Sequence, residues 1–463
     1  MNTFELLGAW VARAGRVAAW TTLILGIPSH ALEAIVEVEE DLYHYEPANN
    51  GAGPMWCAGS TCLARVGDVV YATGLETLPG VKPLNNCRWV LWRRDRDGWK
   101  RLHVDEGGRT REPSPLVVLG DGSVMVSANP TLAPADREGG GPARPEVFWF
   151  SGGTGNTLRK STPIWDGEPR FTEHSYRSFA ADSERGESVL LQNIDYTHAE
   201  WTFRDGEGRW AARGRLVWPW GASYAKPQPV RVCYPAVALK NRTVHFFGVS
   251  DIQEPNPAWR MYKKELTGRD WDYDFRRLFY TSAADISKGP FGDWIEVSSR
   301  DETGGWLWPC DLWVEPSGEV QLLWTERAID ERLRAKFFPS ARQSHALKLA
   351  RVKDGKVGLR RTLMESKEGE NQPAASAARF HVAPDGRLFV FMHVGGPTSR
   401  NRLVEVGVEG PLAEGIAIPF SSAFTSWFTA TPRAGTKPSE YLDVLGVQAG
   451  RDNTIRYARV RVR

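Results

Sequence analysis

Residues 113–129 read PSPLVVLGDGSVMVSAN: a short apolar run, a turn built on Gly120, Asp121 and Gly122, then a second and more apolar run. Two strand-forming runs joined by a Gly/Asp turn are the mark of a β-hairpin. The pattern recurs as GSTCLARVGDVVYATG from Gly59, SYRSFAADSERGESVLLQN from Ser175, CYPAVALKNRTVHFFGV from Cys233, PCDLWVEPSGEVQLLWTER from Pro309 and ARFHVAPDGRLFVFMHV from Ala378. A seventh, looser copy, SWFTATPRAGTKPSEYLDVLGV, starts at Ser426. Starts are about 48 to 76 residues apart, and each hairpin is followed by a second strand pair such as RWVLWRRDRDGWKRL from Arg88 or AEWTFRDGEGRWAARGRLVW from Ala199. Four strands per repeat is one blade of a propeller. The last repeat offers three strands, while AIVEVEEDLYHY, residues 34–45, is a strand without a repeat of its own. An N-terminal strand that completes the last blade would close the ring and remove its exposed edges.

The expectation is therefore an all-β chain: a seven-bladed β-propeller of four-stranded antiparallel blades, ring closed by the N-terminal strand, with residues 32–463 as its single domain. A β-helix has shorter repeats, and paired sandwiches need no constant period. No long stretch has a convincing helical period.

Composition agrees. The 463 residues are 41% hydrophobic and 25% charged, enough for a large core. The formal charge of +2 comes without a long basic run, which argues against nucleic acid as a partner. Twenty tryptophans, many two apart in strand-like runs, suit packing between sheets or a sugar-binding cleft. Five cysteines (Cys57, Cys62, Cys87, Cys233, Cys310) exclude a fully cross-linked scaffold. One bridge, such as Cys57 to Cys87, stays open, and the Cys57–Cys62 spacing is a poor zinc motif. Arg13 and Arg16, the apolar stretch Val17–Ile27 and then Pro28–Ala31 resemble a secretory signal, the alternative being a helical N-terminal extension, so residues 1–31 are set apart. A secreted or periplasmic location follows. That stretch is too short for stable membrane insertion, and a monomer is expected.

In a propeller, loops at one end of the ring form a funnel where ligands collect. The densest polar cluster is FTEHSYRSFAADSERGESVLLQNIDYTHAEW from Phe171. His174, Tyr176 and Arg177 open the inner strand, and Asp195, Tyr196 and His198 follow the next, so one hairpin brings both ends together. His or Tyr can take a proton from carbon beside a carboxylate while Arg neutralises the growing charge. The competing reading packs Tyr176 or Arg177 between blades. Arg231 and Tyr234, Asp311, Glu326 and Arg327, His345 and His393 hold comparable places in other repeats. Converging Arg, His, Tyr and carboxylate would suit an acidic oligo- or polysaccharide, although each alone can be a blade-locking ion pair or a core histidine. His44 lies in a Gly/Pro/Asn-rich segment before the first repeat, where loop closure competes with catalysis. No GxSxG, HExxH, P-loop or strand-borne GxGxxG occurs, and GGTGNT from Gly152 reads as a turn.

These repeats resemble the BNR-repeat, sialidase-like propeller superfamily, in particular its branch of ulvan lyases and enzymes acting on rhamnose linked to glucuronate. The Asp-box turn S-x-D-x-G-x-x-W of sialidases is not intact; FRDGEGRW from Phe203 lacks its Ser. The resemblance implies secretion by polysaccharide-degrading bacteria and elimination across a uronic acid by His, Tyr and Arg, roles it carries to His174, Tyr176, Arg177 and His198. It requires no cofactor, and a structural metal ion stays open. A polysaccharide lyase or glycoside hydrolase is expected; a noncatalytic propeller that binds a glycan or protein is the alternative.

Overall fold

Each of the seven hairpins read from sequence is the inner strand pair of a blade. The computed structural model describes residues 32–57, 59–151, 158–396, 399–407, 410–412 and 415–463. Both the candidate leader (1–31) and GGTGNT fall outside the described residues. The inner pairs are Leu63–Val66 with Val69–Thr77, Leu116–Val118 with Val124–Ala128, Ser178–Asp182 with Glu187–Ile194, and Val232–Lys240 with Thr243–Ser250. The remaining three are Gly304–Val314 with Val320–Ile329, Ala375–Val382 with Leu388–Val394, and Phe424–Thr429 with Tyr441–Gln448. Turn chemistry explains why the pattern was readable. Gly122 has φ 81° and Asn241 has φ 49°, left-handed conformations that Gly and Asn adopt most readily.

Among the described residues, seven antiparallel sheets stand in a ring, each four strands wide, with a fifth short strand, Ile416–Ala417, in blade 6. Blade 7 is completed by Ala34–His44, which pairs antiparallel with Thr454–Val462 from Ala34↔Val462 to His44↔Thr454. Acidic side chains of this strand meet basic ones of its partner: Glu37 pairs with Arg459 at 3.1 Å and also with Arg461, while Asp41 pairs with Arg456 at 2.6 Å. These cross-strand contacts hold Ala34–His44 as the outermost strand of the last sheet, so the two ends of the chain close the ring together. Leu32–Arg463 form one compact unit.

Apolar residues from neighbouring blades interdigitate between sheets. Trp89, Trp201, Trp324 and Trp427 are buried there, as packing of large rings requires. Two details differ from the sequence reading. Short helices, Pro257–Thr267 and Glu331–Phe337, interrupt the loops after the second strands of blades 4 and 5. The first has local signals rather than a long period: Asn256 caps its N-terminus, Pro257 opens it, and Gly268 ends it with φ 69°. All five cysteines are free and buried, so the Cys57–Cys87 bridge does not form. Among the described residues no cluster of His, Cys, Asp and Glu could hold a metal, the Cys57–Cys62 pair included, and no helix is long and apolar enough to cross a membrane.

His381, on the inner strand of blade 6, is buried, and burial brings its imidazole down to about 4. In the unfolded chain it titrates near 6.5, so below that pH the unfolded state binds a proton that the folded state refuses. Stability from this residue is therefore complete above pH 6.5 and drains away as pH falls toward 4. We predict that wild type loses about 2 kcal/mol relative to His381→Gln between pH 7 and 5, read from urea unfolding at both pH values. An equal pH response in the two proteins would refute it.

Candidate functional site

Antiparallel blades put the start of every inner strand and the end of every second strand at the same end of the ring. At that end a cleft of about 1050 Å³ opens over blades 2, 3 and 4. Such a volume accommodates a small oligosaccharide or drug-sized ligand.

His174 and Tyr176 line it, on the segment leading into blade 3. Tyr176 has φ 44°, a left-handed conformation that costs a bulky residue energy unless its surroundings hold it there. Glu112, from the corresponding segment of blade 2, does so. Its carboxylate accepts hydrogen bonds from the backbone N–H groups of Ser175 (3.2 Å) and Tyr176 (3.1 Å) and from the Ser175 hydroxyl (2.7 Å). Burial pushes the Glu112 carboxyl up despite the nearby Arg177. Tyr234 occupies the same position in blade 4 with φ 51°, and its ring meets that of Tyr176 edge-on at 5.1 Å. Burial raises both phenols well above their ordinary range, so both stay protonated and able to donate.

Arg111, the residue before Glu112, reaches the imidazole of His174: Nη1 stands 2.5 Å from Nδ1. Because a guanidinium only donates, that ring nitrogen must accept. Burial, and then the charge of Arg111, bring His174 down to about 4, leaving it neutral at ordinary pH. Arg111 is itself steered by the Asn50 carbonyl at 2.9 Å and by the Trp56 ring, 5.4 Å from its guanidinium carbon. Across the cleft, Arg231 is held by Asp251, Nη2 to Oδ2 at 2.9 Å, and lies 3.9 Å over the ring of Tyr196. The Tyr196 hydroxyl is 2.9 Å from that of Tyr273.

Six residues named from sequence therefore meet: His174, Tyr176, Asp195, Tyr196, Arg231 and Tyr234. The others do not. Arg177 points away from Tyr176, is fully buried, and donates to the Pro113 carbonyl at 2.7 Å, tying blade 3 to blade 2. His198 sits two strands further out, between the Thr197 hydroxyl (2.7 Å) and Glu200 (3.0 Å). The predicted His174–Tyr176–Arg177–His198 pocket thus divides, because alternation along a strand and the strand-to-strand step separate its members. Asp311 is buried against Arg433 at 2.9 Å and accepts from the Phe380 amide. Glu326 is taken up by Arg300 and Lys348, and Arg327 lies 6.0 Å over the Trp306 ring. His345 is exposed beside Arg327 in the ladder of blade 5. His393 is bracketed by the hydroxyls of Ser376 and Ser399 at 2.6 and 2.7 Å. None of these five lines the cleft, and neither does His44, whose Nδ1 is 2.8 Å from the Thr454 hydroxyl.

Trp56, placed by the sequence in a loop near the funnel, does line the cleft, whereas sequence reasoning passed over Arg111, Tyr273 and Phe275. Two of them had a signal. In Asp270–Arg276, DWDYDFR, acids and aromatic rings alternate strictly.

No known family profile matches the chain, and no curated protein does. Solved structures do. One, described as a polysaccharide lyase of family PL25, an ulvan lyase bound to -[GlcA(1-4)Rha3S]-, superposes with a TM-score of 0.56 at 8% identity, covering 91% of this chain and 95% of that one. A second structure described as a PL25 ulvan lyase gives 0.54 at 7% identity, with coverage of 91% and 95%. The polysaccharide lyase Uly1 gives 0.52 at 11% identity, covering 93% and 98%. These structures lend nothing to the sialidase-like part of the sequence reading. At such identities the likeness is one of backbone architecture, and this chain shares its overall fold with these lyases.

Proposed function

We propose that the protein is a carbohydrate-active enzyme that cleaves a uronate-containing polysaccharide by β-elimination in the cleft over blades 2 to 4. The observation that carries this reading is the hydrogen bond from Arg111 to His174, on the same wall as Tyr176. A carboxylate is a stronger acceptor for a guanidinium than a neutral imidazole. The uronate carboxylate would therefore take Arg111 from His174, freeing the imidazole lone pair and neutralising the charge that, after burial, depresses its basicity. His174 then accepts the proton on the carbon beside the carboxylate, and Arg111 balances the negative charge that develops on the carboxylate oxygens. The bond from the neighbouring carbon to the bridging oxygen breaks, and that oxygen takes its proton from the Tyr176 hydroxyl. The products are a new reducing end or shortened chain and an unsaturated uronate; the proton on His174 returns to Tyr176 through solvent. The sugar-ring faces would rest on the aromatic lining, and the fold shared with ulvan lyases is consistent with such a substrate.

Incubation with a panel of uronate polysaccharides, ulvan among them, should raise ultraviolet absorbance from the conjugated C4=C5 double bond. Release of a saturated sugar would replace elimination by hydrolysis. Saturable binding with no product would make the cleft a recognition site only.

A further inference from the structure

The loop joining the second and third strands of blade 4, residues 251–276, is held by an unusual amount of buried charge. Lys263 of its helix contacts Glu254 and Asp272 at 2.6 Å each. Arg276 contacts Glu254 at 2.9 Å and Asp274 at 2.8 Å. Arg332, in the first turn of the helix of blade 5, joins the cluster through Asp272 at 3.2 Å. Side chains alternate along Trp271–Arg276. Asp272, Asp274 and Arg276 turn into this ionic network, and Trp271, Tyr273 and Phe275 turn the other way. The three rings form a row. Phe275 lies 5.9 Å from Tyr234 in the cleft and 6.4 Å from Tyr273, and Tyr273 stacks on Trp271 at 6.3 Å with planes 19° apart. Tyr273 and Phe275 line the cleft, while Trp271 lies beyond its edge and is 68% exposed.

An exposed tryptophan that continues an ordered row of rings out of a cleft has a specific use. Its broad apolar face matches the C–H face of a pyranose, and the ionic network beneath fixes the ring before binding, so little ordering is required of the protein. We infer that Trp271 and Tyr273 form an outlying subsite that stacks a sugar residue of the same chain bound in the cleft, so that the protein prefers long, internal stretches of polysaccharide over disaccharides. This inference rests on the proposed function.

The test uses oligosaccharides of two, four and six residues sized from whichever uronate polysaccharide of the panel the wild type cleaves fastest. Binding is measured by calorimetry in a His174→Ala background so that the ligand survives. Affinity should rise with length, and adding Trp271→Ala should weaken the longest oligosaccharide about tenfold while leaving the disaccharide unchanged. Trp271→Phe, which keeps a flat ring, should restore most of the loss. If the length dependence is the same with and without the Trp271 ring, the subsite is wrong and the cleft reading stands. If the wild type cleaves no polysaccharide of the panel, the function and the subsite fall together.

Discussion

Replacing His174 by Ala is expected to lower turnover of a uronate polysaccharide by about 10²–10⁴-fold, the usual contribution of a positioned general base. Stability should hardly change. The His174 side chain is 44% exposed, so truncation leaves no buried cavity, and Arg111 keeps the Asn50 carbonyl and the Trp56 ring. Tyr176→Phe should cost a comparable factor by removing the proton donor while keeping the ring that packs on Tyr234. The pH profile separates this mechanism from a generic histidine effect. With His174 brought down to about 4, its base form persists far below the usual histidine range, so kcat/KM should hold through pH 5 and fall only near pH 4. Arg111→Gln removes the charge that helps depress His174 and should move that acid limb upward while weakening substrate binding. An acid limb near 6.5 in the wild type, or full activity in His174→Ala, would remove His174 from the chemistry.

The second large effect concerns the seam between the first and last blades. Arg65, on the inner strand of blade 1, grips Asp443 of blade 7 through two hydrogen bonds of 2.6 Å. The Tyr457 hydroxyl donates to the same carboxylate at 2.6 Å. Both charged side chains are almost wholly buried, at 4% and 0% exposure. Losing one partner strands the other charge away from water, and such a break typically costs about 3–5 kcal/mol. Asp443→Ala should therefore unfold at a much lower denaturant concentration than wild type. The double variant Arg65→Met, Asp443→Leu should recover most of the loss, because well-packed apolar groups need no counter-charge. An unchanged unfolding midpoint in Asp443→Ala would show that ring closure depends on the N-terminal strand and not on this clasp.

How far the fold was legible follows from the range over which each feature acts. A hairpin is local. The runs of 113–118 and 124–128 and the Gly122 turn between them lie within one short segment, so propensity and turn chemistry announce the blade. The closing strand was legible because the last repeat lacked a strand and residues 34–45 were a strand without a repeat of their own. The helix at 257–267 escaped because its evidence is confined to its caps, Asn256 and Gly268.

The cleft was only half legible. Period-two alternation told that Tyr176 and Arg177 face opposite ways, but not which of the two faces the axis and the neighbouring blade. The hairpin reading put His198 beside Tyr176, whereas His198 opens the third strand of the blade, two strands out from the one Tyr176 leads into. Arg111 had no local mark at all; it matters because its blade stands next to that of His174, 63 residues away.

Sequence by itself thus determined the blades, their number and the device that closes them, since strand pattern and turns act over a few residues. Only tertiary structure decided which polar side chains share a cleft, because that depends on the radial position of each strand and on which blades stand side by side, and neither is written in any one repeat.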